Sequence, residues 1–194
     1  MNAILMSIQP KWVEEIASGR KTIEVRKTAP KCGVPFKGYI YCTKAKSQWR
    51  YSGYEGAYEN SEGEIVCAQR RVIGEFICDN VDEFFIFPDG AVQYWNYANL
   101  EKSCLTYEEV ANYIGKSKKG YAWHISDLKI YNTPKELNEF YTLPCEKSEK
   151  ACANCKWLVK VNTPDKYECE CYVEDGRSIT CAPQSWQYVQ ELGE

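Results

Sequence analysis

Ala3 to Ile8 is a short apolar run that predicts a buried strand, and Pro10 opens a stretch in which Trp12, Val13 and Ile16 recur at helical spacing. Proline fits a first helical turn because the N–H it lacks has no partner there, and Gly19 suits the left-handed residue that stops a helix. Residues 21–27 then alternate, with Ile23 and Val25 on one face and Thr22, Glu24 and Arg26 on the other, which predicts a half-buried strand. Residues 38–43 and 64–79 predict further strands, the second broken near Arg70 and Arg71. Thr106 followed by Glu109 is a capping box opening a helix through Ile114 to Gly115. Residues 120–131 form the clearest late strand, Pro134 starts a short helix through Phe140, and residues 185–192 read as a final helix anchored by Trp186 with Val189 or Leu192. Short strands with two or three helices predict an α+β fold, an incomplete barrel.

At 194 residues and 44% hydrophobic content, the chain can hold one domain with a real core plus an appendage. Composition changes at Pro144 and Cys145, dividing the chain into residues 1–144 and 145–194. No run approaches the ~20 apolar residues that span a bilayer, and the N-terminus lacks a basic region and a cleavage site, so a soluble, cytoplasmic protein is expected. The net charge of −3 hides an asymmetry. Residues 1–50 carry 10 Lys/Arg against 3 Asp/Glu, residues 51–144 carry 8 against 15, and the rest 6 against 9. A basic first third attracts phosphates, while the acidic remainder argues for a local anion site over a general coating of duplex.

Without an export signal, 11 cysteines point to thiols or metal ligands more than to a disulfide framework. Cys152-x-x-Cys155 puts two thiolates on one turn, half of a tetrahedral zinc site, and any two of Cys169, Cys171 and Cys181 complete it, with Cys145 as a further candidate. A structural zinc would explain how a core-poor segment of some fifty residues stays folded. A redox pair is the competing reading, although no βαβ context accompanies it. The remaining cysteines sit among apolar neighbours and are expected to pack.

Lys21, Glu24 and Arg26 combine two cations and one carboxylate that could face a polar ligand. Arg26 would hold a phosphate bidentately, Lys21 would act as a point charge, and Glu24 would accept from a base edge. The plain alternative is that Glu24 and Arg26 pair with each other on one strand face. Lys44, Trp49 and Arg50, with Tyr51 and Tyr54, mix cations with aromatics in a predicted loop, a mixture that neutralises phosphates and stacks bases. His124 is the only histidine; it shares a face with Ala122 and Ser126, which favours a packed residue over a general base.

The segment Ser7-Ile8-Gln9-Pro10-Lys11 followed by Gly19-Arg20-Lys21-Thr22-Ile23-Glu24-Val25-Arg26-Lys27 resembles the N-terminal signature of ASCH domains. The likeness continues, in order, through Tyr39-Ile40-Tyr41-Cys42-Thr43, Val72-Ile73-Gly74-Glu75-Phe76 and Tyr121-Ala122-Trp123-His124-Ile125 to Pro134-Lys135-Glu136-Leu137. The resemblance implies a PUA-like β-barrel with a cleft beside the first helix and the G-x-K-T turn, and an RNA-binding or RNA-processing role. Lys21, Thr22, Glu24 and Arg26 would line that cleft with Lys44, Trp49 and Arg50, taking RNA or a nucleotide. One bacterial branch of the family resembles an amidohydrolase of acetylated cytosine nucleosides; its lysine falls on Lys21, but its nucleophilic threonine falls on Glu24. The rival function is therefore a hydrolase, an amidohydrolase or a ribonuclease, with Lys21 and Glu24 or Glu75 as catalytic groups and Thr22, Thr28 or water as nucleophile. A third reading is a protein-interaction module built on the cysteine-rich tail.

Overall fold

A computed structural model describes residues 2–44, 49–50, 53–54, 56–87, 92–93, 97–115, 118–144 and 176–193, with backbone alone at 49–50, 53–54, 92–93 and 97–98. The chain begins β1 (Ala3–Ile8), α1 (Pro10–Ala17), β2 (Ile23–Arg26), β3 (Phe36–Cys42), β4 (Trp49–Arg50), β5 (Gly53–Tyr54), β6 (Ala57–Glu59) and β7 (Ile65–Cys67). It continues β8 (Val72–Cys78), β9 (Val81–Ile86), β10 (Val92–Gln93), α2 (Tyr97–Ser103), α3 (Tyr107–Ile114), β11 (Lys119–His124), β12 (Ser126–Lys135) and β13 (Trp186–Val189). No helix among the described residues is long and apolar enough to cross a membrane.

The fold is mixed α+β and mostly strand. One sheet has the order β12-β8-β3-β1-β13 and a second the order β10-β9-β11-β2. β1 and β3 pair in parallel and are buried on both faces. Along β1, Ile4, Met6 and Ile8 enter the core that also holds Phe36, Ile40, Phe76 and Trp123, while Ala3 and Leu5 enter a second core with Tyr39, Phe140 and Val189. On the four-stranded sheet, Ile23 and Val25 of β2 turn outward, where Leu100 of α2 and Val110 and Ile114 of α3 cover them. Glu24 and Arg26 therefore sit on the opposite face, which looks into the space between the sheets.

The barrel expected from the sequence does not close. Among the described residues no backbone ladder joins the two sheets. Where β2 comes closest to β1, the link is made by a side chain: the Arg26 Nη2 donates to the Ser7 carbonyl at 2.8 Å.

Three further expectations are corrected. Residues 185–192 form no helix; β13 pairs antiparallel with β1, from Ala3 opposite Val189 to Met6 opposite Trp186, so the last strand of the sheet comes from the segment that composition sets apart. Trp186 and Tyr188 pack on the first core and Val189 on the second, a period of two that outweighs the helical spacing of Trp186 and Val189. Pro134 begins no helix, because β12 continues to Lys135 and only a 3-10 turn at Leu137–Glu139 follows. β12 is an edge strand, where a residue without an N–H is tolerated. The single strand expected over 120–131 is two strands, switching sheets at Ile125, whose N–H reaches the Thr22 carbonyl at 2.9 Å.

Candidate functional site

The seam between β1 and β2 carries a buried ionic triad. Gly19, at φ +74°, ends α1 and turns the chain so that Lys21 points inward. Lys21 Nζ donates to the Ile23 carbonyl at 2.9 Å and the Ser103 carbonyl at 2.6 Å, and lies 3.3 Å from Glu24 Oε2. The other carboxylate oxygen, Oε1, lies 3.1 Å from Arg26 Nη2. Arg26 Nη1 reaches the carbonyl and the hydroxyl of Ser185, each at 3.3 Å, and its Nε is buried without a partner among the described residues. Lys21, Glu24 and Arg26 are 1%, 8% and 4% exposed.

Burial holds the Lys21 ammonium below the ordinary lysine value, with the charge and hydrogen bond of Glu24 pulling it back up. Its three donors already have three acceptors, the full capacity of an ammonium. Both amino groups of Arg26 are likewise engaged. Of the three side chains Glu24 is the most open, and all three line the cleft.

Above the triad is a cleft of about 520 Å³ between α1 and α3. Lys11 and Trp12 of α1 line one side and Glu109 and Tyr113 of α3 the other, with Ser7 and Thr43 at the strand ends. Lys11 lies 3.9 Å from the Trp12 ring centre and 3.5 Å from a Glu109 oxygen, so one ion pair bridges the two helices across the opening. Glu109 also closes the capping box, accepting from the Thr106 N–H at 2.9 Å, and that bond, aided by Lys11, holds its carboxyl below the usual range. Tyr113, 40% exposed, has its phenol pushed up by desolvation and held back by the adjacent Arg26.

The structure thus brings Lys21, Glu24 and Arg26 together, in contact with one another as the plain alternative had it and also at the base of a cleft. Thr22 does not line the cleft, and Lys44 is exposed beside it, one residue beyond the lining Thr43. Trp49 and Arg50 pair with Tyr54 and Gly53 through backbone, and their side chains lie outside the described residues. Thr28 accepts from the Trp186 indole at 3.0 Å, away from the lining. Glu75 accepts from the Tyr131 hydroxyl at 2.8 Å and does not line the cleft. His124 contacts Asp82 at 2.8 Å, also outside the lining. Of the five scattered cysteines expected to pack, Cys42 and Cys78 are buried, with burial pushing the Cys78 thiol up to about 12, Cys32 and Cys104 are half-buried, and Cys67 is exposed, against the expectation. Of the proposed zinc ligands only Cys181 is described, exposed and with a free thiol; Cys145, Cys152, Cys155, Cys169 and Cys171 lie outside the described residues. Trp12 packs against the first core as its helical spacing implies and also lines the cleft, while Lys11, Glu109 and Tyr113 enter the site only through the fold. The signal for Trp12 and Lys11 was their place directly after Gln9 and Pro10, in the same signature as Lys21.

Two solved structures are similar to part of this chain. The ASCH protein of Zymomonas mobilis superposes with a TM-score of 0.48 at 16% identity over 71% of this chain and 75% of that one. The N-terminal domain of Staphylothermus marinus McrB gives 0.36 at 12% identity, over 71% and 77%. No curated protein matches the chain in sequence. The ASCH domain matches residues 6–125, which run from β1 to the end of β11 and contain the whole triad, and the chain belongs to the ASCH domain family.

Proposed function

We propose that the cleft binds a nucleobase, in single-stranded RNA or as a nucleotide. The observation that carries this reading is a carboxylate fixed between two buried cations at the base of a cleft with an aromatic side chain on each side, Trp12 and Tyr113. A base can stack on Tyr113, or on Trp12 when Lys11 leaves its ring to meet a phosphate, while its polar edge meets Glu24, and the volume suits a ligand of that size. The lining holds Lys11, Lys21 and Arg26 against Glu24 and Glu109, a small cationic excess that favours a phosphate at the mouth. Lys11, 40% exposed, is the cation placed to meet it. Phosphate binding by Arg26, anticipated from the sequence, would require it to leave Ser7, Ser185 and Glu24.

Trp12→Ala is expected to weaken binding of short single-stranded RNA by about 1–3 kcal/mol, the worth of one base–aromatic stack. Fluorescence titration of a labelled oligonucleotide measures it, and unchanged affinity would remove the base from this cleft. Hydrolysis has less support. Lys21 is saturated as a donor, Ser7 donates its hydroxyl to the Pro183 carbonyl at 2.6 Å, and Thr22 and Thr28 are away from the lining. Turnover of acetylated cytidine that is lost in Lys21→Ala would replace binding by catalysis.

The cysteine-rich segment is proposed to hold one structural zinc through Cys152, Cys155 and two of Cys169, Cys171 and Cys181. On either side of residues 145–175 the backbone is tied together, Thr142 N–H donating to the Arg177 carbonyl at 2.8 Å. Elemental analysis of protein purified without added metal should give about one zinc per chain. Metal-free protein, or a Cys152–Cys155 disulfide in reduced preparations, would exclude the site.

A further inference from the structure

We infer that the cleft selects guanine, by its Watson–Crick edge. The inference rests on the proposed base-binding role and adds to it the hydrogen-bond pattern that Glu24 imposes. Oε1 of Glu24 has Arg26 Nη2 at 3.1 Å and Oε2 has Lys21 Nζ at 3.3 Å. Each carboxylate oxygen has two acceptor positions, so one remains on each after the cations are satisfied. The orientation of the carboxylate is fixed, because Lys21 is tied to the carbonyls of Ile23 and Ser103 and Arg26 to those of Ser7 and Ser185. Glu24 keeps 10% of its side chain exposed, against 1% and 5% for its partners. What the ligand meets is a rigid pair of adjacent acceptors.

Only a ligand with two adjacent, parallel N–H donors satisfies both oxygens. Guanine offers N1–H beside N2–H. Adenine sets a ring-nitrogen lone pair beside its amino group, and neutral cytosine does the same, so each would place one lone pair against a carboxylate oxygen. Uracil has one N–H between two carbonyls and would place a carbonyl there. An arginine side chain has the right donors, as its fork pairs with carboxylates elsewhere. Here, however, its charge would stand against two buried cations balanced by one carboxylate. A neutral base with a two-donor edge is the better match.

Inosine separates the donors cleanly, since it keeps N1–H and lacks the amino group. Uridine pentanucleotides with a central guanosine, inosine, adenosine or cytidine are titrated against the full chain. The guanosine oligomer should bind roughly tenfold or more tighter than the inosine oligomer, the cost of one charge-assisted hydrogen bond lost at a buried acceptor. Glu24→Gln exchanges one acceptor for a donor and should shrink that ratio towards one. Tight binding of all oligomers with guanosine and inosine equal would overturn guanine selection and leave base binding standing. Binding of none of them would overturn both. The wild-type ratio decides the matter even where Glu24→Gln does not fold.

Discussion

Glu24→Leu is expected to lower the free energy of unfolding by about 3–5 kcal/mol, the usual penalty for removing one partner of a buried ion pair. The loss comes from what stays behind. Lys21 and Arg26, 1% and 4% exposed, would lose the carboxylate they share, while leucine can neither accept their hydrogen bonds nor let water through to them. Against a typical total of about 5–15 kcal/mol, that is a large fraction of the stability. Glu24→Gln keeps an amide oxygen in place and should fall between the two. Equilibrium urea unfolding at pH 7 reads all three, and a loss below about 1 kcal/mol, the range of exposed pairs, would mean that cleft water already solvates the cations.

The same residues mark what the sequence could and could not convey. Local chemistry was readable: the Thr106–Glu109 capping box forms as written, and the alternation along β2 correctly put Glu24 and Arg26 on one face and Ile23 and Val25 on the other. What decides the character of the site is long range. The partners of Lys21 and Arg26 lie 82 and 159 residues away, at Ser103 and Ser185, and no local pattern announces that carbonyls from α2 and from the loop before β13 will occupy the cations. The basic residues therefore looked like phosphate ligands, whereas the geometry makes them the support of a carboxylate. A four-residue strand such as β13 fits both periods in isolation, and only pairing with β1 distinguishes them. β9 is hard to read because Val81 packs on one core while Phe84 and Ile86 pack on another, so its short apolar pattern marks no single buried face. Tyr113 was hidden for the opposite reason, since an exposed aromatic on an amphipathic helix looks like ordinary surface until α1 is seen across from it.

Raising the pH should restore part of the stability that Glu24→Leu removes. In the native protein, burial pulls Lys21 below 10.5 and Glu24 is the main group opposing it, so its removal leaves burial nearly unopposed and the folded value drops further. Below that folded value both folded and unfolded chains carry the proton, and the folded chain bears the full cost of a buried ammonium. Between the folded value and 10.5, the folded chain has released the proton while the unfolded chain still binds it, so stability rises with pH across this window. Arg26 stays charged throughout and its share of the loss is not recovered. The difference in unfolding free energy between Glu24→Leu and the double variant Glu24→Leu/Lys21→Met isolates the effect. Methionine has nothing to titrate, so the single variant should gain on the double variant as the pH rises through the lowered folded value of Lys21 towards 10.5. A difference that stays flat over that range would show that the buried Lys21 ammonium is not what the missing carboxylate was stabilising.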